Sequence, residues 1–180
     1  MNNYIQIYKD VLDPTYCRDL ISRFEKNEKH HETYDQGPMS FTQINLNTNL
    51  EWGEDVNQLT NVYDKYVNKY KKDCAIHKTQ WPNQYGYEQI RLKRYLANDK
   101  DEFAPHVDSI NIESAKRFLV FFIYLDDNER GETNFPQLGL ASPCKQGSML
   151  MFPPLWPWLH QGMKPINQPK YMIGSYLHYT

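Results

Sequence analysis

The chain has 180 residues, 40% apolar and 14% aromatic, which is the length and the material of one domain with a packed core. Twenty basic against 22 acidic side chains leave a net charge of -2, without the basic excess that a phosphate-backbone binder needs. No apolar run approaches the roughly 18 residues that cross a bilayer, the start Met1-Asn2-Asn3-Tyr4 has no signal pattern, and three scattered cysteines do not make a disulfide framework. The expectation is one domain over residues 1–180, cytoplasmic, with neither a membrane nor a nucleic acid as partner.

In chain order, Tyr4 to Tyr8 alternates as a short strand. Asp13 and Pro14 then offer a cap and a first-turn proline before Cys17, Leu20, Ile21 and Phe24 at helical spacing. Tyr34 to Asn49 is rich in Gly, Pro, Asn and Thr and reads as an early strand flanked by mobile loops. A second helix is predicted from about Asp55 to Lys71, where Val56, Leu59, Val62, Tyr63, Tyr66, Val67 and Tyr70 recur at three and four. Beyond Trp81 the pattern changes to strand-like runs: Glu88 to Leu96, Phe103 to Asp108, Lys116 to Leu125, Glu132 to Phe135, Gly147 to Phe152 and Tyr171 to Tyr179. Strands that follow one another without helices between them predict an antiparallel sandwich or barrel, with the two early helices covering one outer face. Phe118 to Leu125 is apolar at both parities and should be the strand sandwiched at the centre.

The chemistry-bearing residues lie in this second half. His106 and Asp108 are two apart, so an extended strand would project them from one face. Six histidines and twelve aspartates give a His-x-Asp by chance roughly 0.4 times, so the pair needs company. His160 supplies it. Two histidines and one carboxylate leave one face of an octahedral metal open, which suits a non-haem iron(II) that must also bind an organic co-substrate and dioxygen. A dicarboxylate co-substrate in a water-poor site needs a cation for its far end, and Lys170 fits. On a last strand, Lys170, Met172, Gly174 and Tyr176 share one face, a cationic anchor beside a small residue and an aromatic wall. Arg91 and Lys93 share the parity of Tyr95, so they form either a basic patch at a substrate opening or a solvated sheet face. Trp156 and Trp158, with Pro153-Pro154, either plug the barrel or grip a proline-rich peptide.

The succession His106-Val107-Asp108, Tyr124-Leu125-Asp126, Gly131-Glu132-Thr133-Asn134-Phe135-Pro136, Lys145-Gln146-Gly147-Ser148, His160, Lys170 and Tyr176-Leu177-His178 resembles the iron(II)/2-oxoglutarate-dependent dioxygenases, in particular their prolyl 4-hydroxylase branch. The resemblance runs from Glu88 to the C-terminus. It implies a mainly β fold with flanking α-helices and a double-stranded β-helix (jelly-roll) core. His106, Asp108 and His160 would hold iron(II), Lys170 would bind the far carboxylate of 2-oxoglutarate, and Tyr95, Tyr124 and Tyr176 would stand around the same co-substrate. The implied activity is hydroxylation of a peptide or protein, first of all at proline as in procollagen-proline 4-dioxygenases. Dioxygen is the oxidant, ascorbate the supporting reductant, and succinate and carbon dioxide the co-products. Tyr176 stands where this branch usually has tryptophan, Arg130 replaces a glycine, and the glycine common after Tyr95 is missing from Leu96-Ala97-Asn98-Asp99. The same chemistry on another side chain, a nucleobase or a small metabolite is the alternative. A silent jelly-roll binding domain, which would tend to have lost a ligand, and a zinc hydrolase, which has no use for Lys170, come after it.

Overall fold

The computed structural model describes residues 4–37 and 39–180. Its elements in order are β1 (Gln6–Tyr8), α1 (Pro14–Lys26), β2 (Glu32–Gln36), β3 (Met39–Asn45), α2 (Gly53–Asp73), β4 (Tyr85–Tyr87), β5 (Arg91–Tyr95), β6 (Glu102–His106), β7 (Arg117–Tyr124), β8 (Asn128–Phe135), β9 (Leu140–Cys144), β10 (Met149–Phe152), β11 (His160–Gly162) and β12 (Lys170–Tyr179), with short 3-10 turns between some of them. Asp13 caps α1 by accepting hydrogen bonds from the Thr15 and Tyr16 amides, and Pro14 opens the helix where no amide hydrogen is needed.

Hydrogen-bonded order through the sheet is β1-β10-β7-β12-β5-β3-β6-β11-β8-β9, with β2 beside β3 and β4 beside β12. Every pairing is antiparallel. The two ends of that order face each other. Val120, Phe122, Leu150 and Phe152 of β7 and β10 pack against Phe135 and Cys144 of β8 and β9, so the sheet rolls into a double-stranded β-helix with an apolar interior. On the outside, Leu119, Phe121 and Ile123 of β7 meet Leu20 and Phe24 of α1 and Leu59, Tyr63 and Val67 of α2. The expected double-sided burial of β7 thus comes from helices on one face and the barrel interior on the other. Gly174 of β12 is a close-approach position: a Cβ there would collide with the Phe121 carbonyl and with Phe122.

Several differences from the sequence expectations have local causes. The segment expected as one loose strand is the β2–β3 hairpin, apart from Pro38, which lies outside the described residues; β3 is inserted between β5 and β6. β9 contains Pro143, a residue that argues against a central strand, and it is tolerated because β9 is the last strand of the order. β11 is three residues long and carries no period of its own. Among the described residues no helix is long and apolar enough to cross a membrane.

Candidate metal and co-substrate site

His106 ends β6 and His160 begins β11, and the two are direct partners across that antiparallel pair, 54 positions apart in sequence. Asp108, expected on the same strand, lies instead in the bend just after it. The chain turns there and brings Asp108 Oδ1 to 3.7 Å from His106 Nε2 and Oδ2 to 3.5 Å from His160 Nε2. One donor atom from each of the three residues lies within 4.8 Å of the others. Phe103 stacks on His106 with ring centroids 3.8 Å apart, and Phe152 packs edge-on against His160 at 4.7 Å, so both rings are fixed.

The protons can be assigned from the outer contacts. His106 Nδ1 faces the Ala104 carbonyl at 2.8 Å and His160 Nδ1 faces the Trp158 carbonyl at 3.0 Å. A carbonyl only accepts, so each Nδ1 carries a hydrogen, which in the neutral ring leaves a lone pair on Nε2 toward Asp108. Burial pushes His160 down to about 4, against the opposing pull of Asp108, so it is neutral at physiological pH. Burial alone would raise Asp108, but hydrogen bonding and positive charge from the neighbouring histidines in their protonated form, with the Tyr176 hydroxyl, outweigh it and bring the carboxyl down to about 2. Among the described residues the buried Asp108 Oδ2 atom has no hydrogen-bond partner. Two nitrogen lone pairs and a buried, orphaned carboxylate oxygen converging on one point repel one another unless a cation stands between them. Two imidazoles and one carboxylate are the donor set of a facial triad, so these residues fit an iron(II).

The Tyr176 hydroxyl donates to Asp108 Oδ1 at 2.7 Å. Arg117 lies 4.1 Å from the Tyr176 ring centroid and is itself held by Glu88 through bonds of 2.7 and 2.9 Å. It also donates to the Asp108 carbonyl at 3.4 Å. Tyr176 therefore braces the Asp108 carboxylate as well as walling the cavity. The sequence reading missed Arg117 and Glu88, whose relation depends on where β12 crosses β7.

Lys170, the first residue of β12, is 1% exposed. Its ammonium lies 5.2 Å from the Tyr95 ring and 5.6 Å from the Tyr124 ring, and among the described residues no carboxylate comes within ion-pairing distance of it. Burial pulls its pKa down, only partly offset by Cys144, Asp126 and Glu132 further off. Lys170, Met172, Gly174 and Tyr176 all line the same cavity as the three candidate ligands. Tyr95, opposite Lys170 in the β5–β12 register, lines it too, and among the described residues its hydroxyl has no hydrogen-bond partner. Tyr124 stands differently. It lies outside the cavity lining, and its hydroxyl is engaged, donating to Thr133 Oγ1 at 2.8 Å and lying 3.3 Å from the Ser142 carbonyl. Thr133, to whose hydroxyl Tyr124 donates, is itself buried and lines the cavity. It sits inside the quoted Glu132-Thr133-Asn134 run, where strand parity could have singled it out. Arg91 and Lys93 line the cavity and are not on a solvated face. Trp156 is 80% exposed, whereas Trp158 packs edge-on against Tyr4 and lends its carbonyl to His160. His178 lies at the far end of β12, opposite Gly86.

The model of the 2OG-Fe(II) oxygenase superfamily matches residues 90–178, which contain all of these groups except Glu88. No curated protein matches the chain. Among solved structures, a viral collagen prolyl hydroxylase of Paramecium bursaria Chlorella virus-1, in its 2-oxoglutarate complex, superposes with a TM-score of 0.75 at 18% identity, over 98% of this chain and 97% of that one. A prolyl hydroxylase of Trichoplax adhaerens, solved with a peptide fragment of the hypoxia-inducible factor oxygen degradation domain, gives 0.76 at 13% identity, over 98% and 84%. A prolyl-4-hydroxylase of Pseudomonas putida gives 0.68 at 10% identity, over 99% and 94%. The cofactors are accordingly iron(II) and 2-oxoglutarate, with dioxygen as oxidant and ascorbate in support. Residues 90–178 thus belong to the iron(II)/2-oxoglutarate-dependent oxygenase superfamily, and the chain has a prolyl 4-hydroxylase-like fold.

Proposed function

We propose that residues 1–180 form one catalytic domain that hydroxylates a prolyl residue of a peptide or protein. The observation that carries the reading is the convergence in one cavity of two imidazoles, an orphaned carboxylate and an unpaired buried lysine, as seen among the described residues. When bound, iron(II) and 2-oxoglutarate supply the oxidising chemistry that inserts one oxygen atom of dioxygen into a C–H bond and leaves succinate and carbon dioxide.

Each residue of the chain then has a task. His106, Asp108 and His160 are the metal ligands. Lys170 pairs with the far carboxylate of 2-oxoglutarate, replacing the ion pair it lacks. Tyr95 and Thr133 offer hydroxyls to the same carboxylate, and Tyr124 acts through Thr133 by donating to it and so leaving the threonine hydrogen free to point inward. Val120, Phe122 and Met172 keep the co-substrate's methylene chain dry. Tyr176, held by Arg117, fixes the Asp108 carboxylate. A silent binder would have no use for this complete set, and a hydrolase none for Lys170. The choice of proline rests on the prolyl hydroxylases among the structures of the same fold. A cytoplasmic location belongs to the same reading and is supported by Cys17 and Cys144, both buried as free thiols.

The test is incubation with iron(II), ascorbate, 2-oxoglutarate and a panel of proline-containing peptides, with succinate and peptide mass followed together. One oxygen gained on a proline for each succinate is the expected result. Succinate matched to oxygen on another residue or on a non-peptide would overturn the proline assignment, and no succinate at all would overturn the oxygenase.

A further inference from the structure

The cavity holds more positive charge than the expected chemistry uses. Iron(II) and 2-oxoglutarate cancel each other's charge, and Asp108 cancels Lys170. Asp108 is the one carboxylate lining this cavity among the described residues, so it has nothing left to offer the two further cations, Lys93 and Arg91. Lys93 projects from β5 with its ammonium 4.6 Å from the Phe41 ring and 5.6 Å from the Phe103 ring, the same Phe103 that stacks on His106. Two aromatic faces attract a cation but do not neutralise it. Burial lowers the Lys93 pKa to about 8, against the pull of Asp108, which leaves the amine mostly charged at neutral pH and short of solvation. Arg91, two residues earlier on the same face, has a single neutral contact, a 3.2 Å bond to Gln89 Oε1. Glu88, the nearest other acid in sequence, is taken up by Arg117. Among the described residues neither Lys93 nor Arg91 has a carboxylate within ion-pairing distance. Arg91 also lines the open groove that continues past Asp108 toward Asn111 and Lys116, so the two cations lead from that groove to the metal ligands.

We infer that Lys93 and Arg91 form a carboxylate-recognising subsite beside the metal ligands, which selects peptides with an aspartate or glutamate next to the residue that is hydroxylated. The inference rests on the peptidyl-hydroxylase reading and deepens it. Phe41 and Phe103 act as the apolar walls of the subsite, Lys93 as its inner anchor and Arg91 as its outer one. An acidic side chain pairing with Lys93 in this partly desolvated place is bound through a charge-assisted bond, whereas glutamine at the same position leaves the ammonium uncompensated.

The experiment uses the full chain with iron(II), ascorbate and 2-oxoglutarate. The probes are proline peptides matched except for Glu, Gln or Lys beside the proline, and a further Gln peptide placed so that its free C-terminal carboxylate, or an amide in its stead, adjoins the proline. Peptide mass is the readout. The Glu peptide should show a KM at least about tenfold below that of Gln, with Lys poorest. In Lys93→Met the Glu and Gln peptides should converge, and in Lys93→Glu the Lys peptide should become the best, while the 2-oxoglutarate affinity of both variants stays within about twofold. Equal KM values for Glu and Gln in the wild type would overturn the subsite alone, as would a preference confined to the free C-terminus. Loss of 2-oxoglutarate affinity in Lys93→Met as large as in Lys170→Met would also overturn it, by making Lys93 a co-substrate anchor. Failure of every peptide while iron(II) and 2-oxoglutarate still bind would overturn the peptidyl reading and the subsite with it.

Discussion

The two faces of β7 differ in how they treat charge. On the helix side Leu119, Phe121 and Ile123 meet an apolar layer, and the buried carboxylate there, Asp55, is paired with Arg23 through bonds of 2.7 and 2.6 Å and accepts from Tyr16 at 2.8 Å. On the barrel side Val120 and Phe122 line a cavity where, among the described residues, Lys170, Lys93 and one oxygen of Asp108 have no such partner. Neutral atoms go unbonded on the helix side as well, Trp52 Nε1 and the Tyr63 hydroxyl among them, but an unpaired buried charge costs far more. The helix side is built for stability. The barrel side holds charges that become favourable once ligands arrive.

Substitutions on the two sides should therefore act on different quantities. The largest effect is expected at Asp55→Ala, which takes the buried partner from Arg23, leaving it only the exposed Asp19, and takes the acceptor from Tyr16: about 3 kcal/mol of unfolding free energy should be lost in urea titration, with metal affinity unchanged. A metal affinity that fell with it would erase the distinction between the two faces. Lys170→Met should do the opposite, weakening 2-oxoglutarate binding by about 100-fold in calorimetry while raising the Tm of the ligand-free protein, because a buried ammonium without a counter-ion is removed. A lower Tm would mean that the lysine stabilises the fold on its own.

Asp126, at the end of β7, tests the same logic through pH. One of its oxygens accepts from the Tyr171 amide at 2.9 Å, the other is buried with no hydrogen-bond partner among the described residues, and burial raises the carboxyl to about 6. The folded state thus holds this proton more tightly than the unfolded chain, whose carboxyl titrates near 3.8. Stability from this group is full below about pH 4 and declines as pH rises toward 6, by about 2 kcal/mol. Asp126→Asn should flatten that part of the stability profile; an unchanged slope would assign it to other groups. The smallest effect belongs to Tyr176→Phe, which removes the hydrogen bond to Asp108 Oδ1 and keeps the aromatic wall. Manganese(II) affinity should fall about tenfold with little change in Tm, and unaltered affinity would reduce Tyr176 to packing.

How much of this was legible in the sequence follows the range of the interactions. α1, α2 and β7 announce themselves through local period and capping, and the structure has them within a few residues. His106, Asp108, His160 and Lys170 were legible as a constellation because each residue type and its order carry chemistry. Asp108 was placed on a strand because periodicity cannot signal that β6 stops at His106. Tyr95 and Tyr124 look alike in sequence. Only the Thr133 hydroxyl and the Ser142 carbonyl, brought near by β8 and β9, separate the tyrosine facing the cavity from the one beside it. The roles of Arg117, Glu88 and Lys93 depend on contacts across the sheet, which no local pattern encodes.

The central claim is that the converging lone pairs of His106, Asp108 and His160 are a metal site that creates the 2-oxoglutarate site. Anaerobic calorimetric titration of iron(II), then 2-oxoglutarate, into the wild type and into Asp108→Ala tests it most directly. The account predicts one iron(II) per chain, 2-oxoglutarate binding that tightens strongly once the metal is present, and loss of both in a variant whose circular dichroism is unchanged. Iron(II) binding of equal strength in Asp108→Ala, or 2-oxoglutarate binding indifferent to the metal, would contradict it.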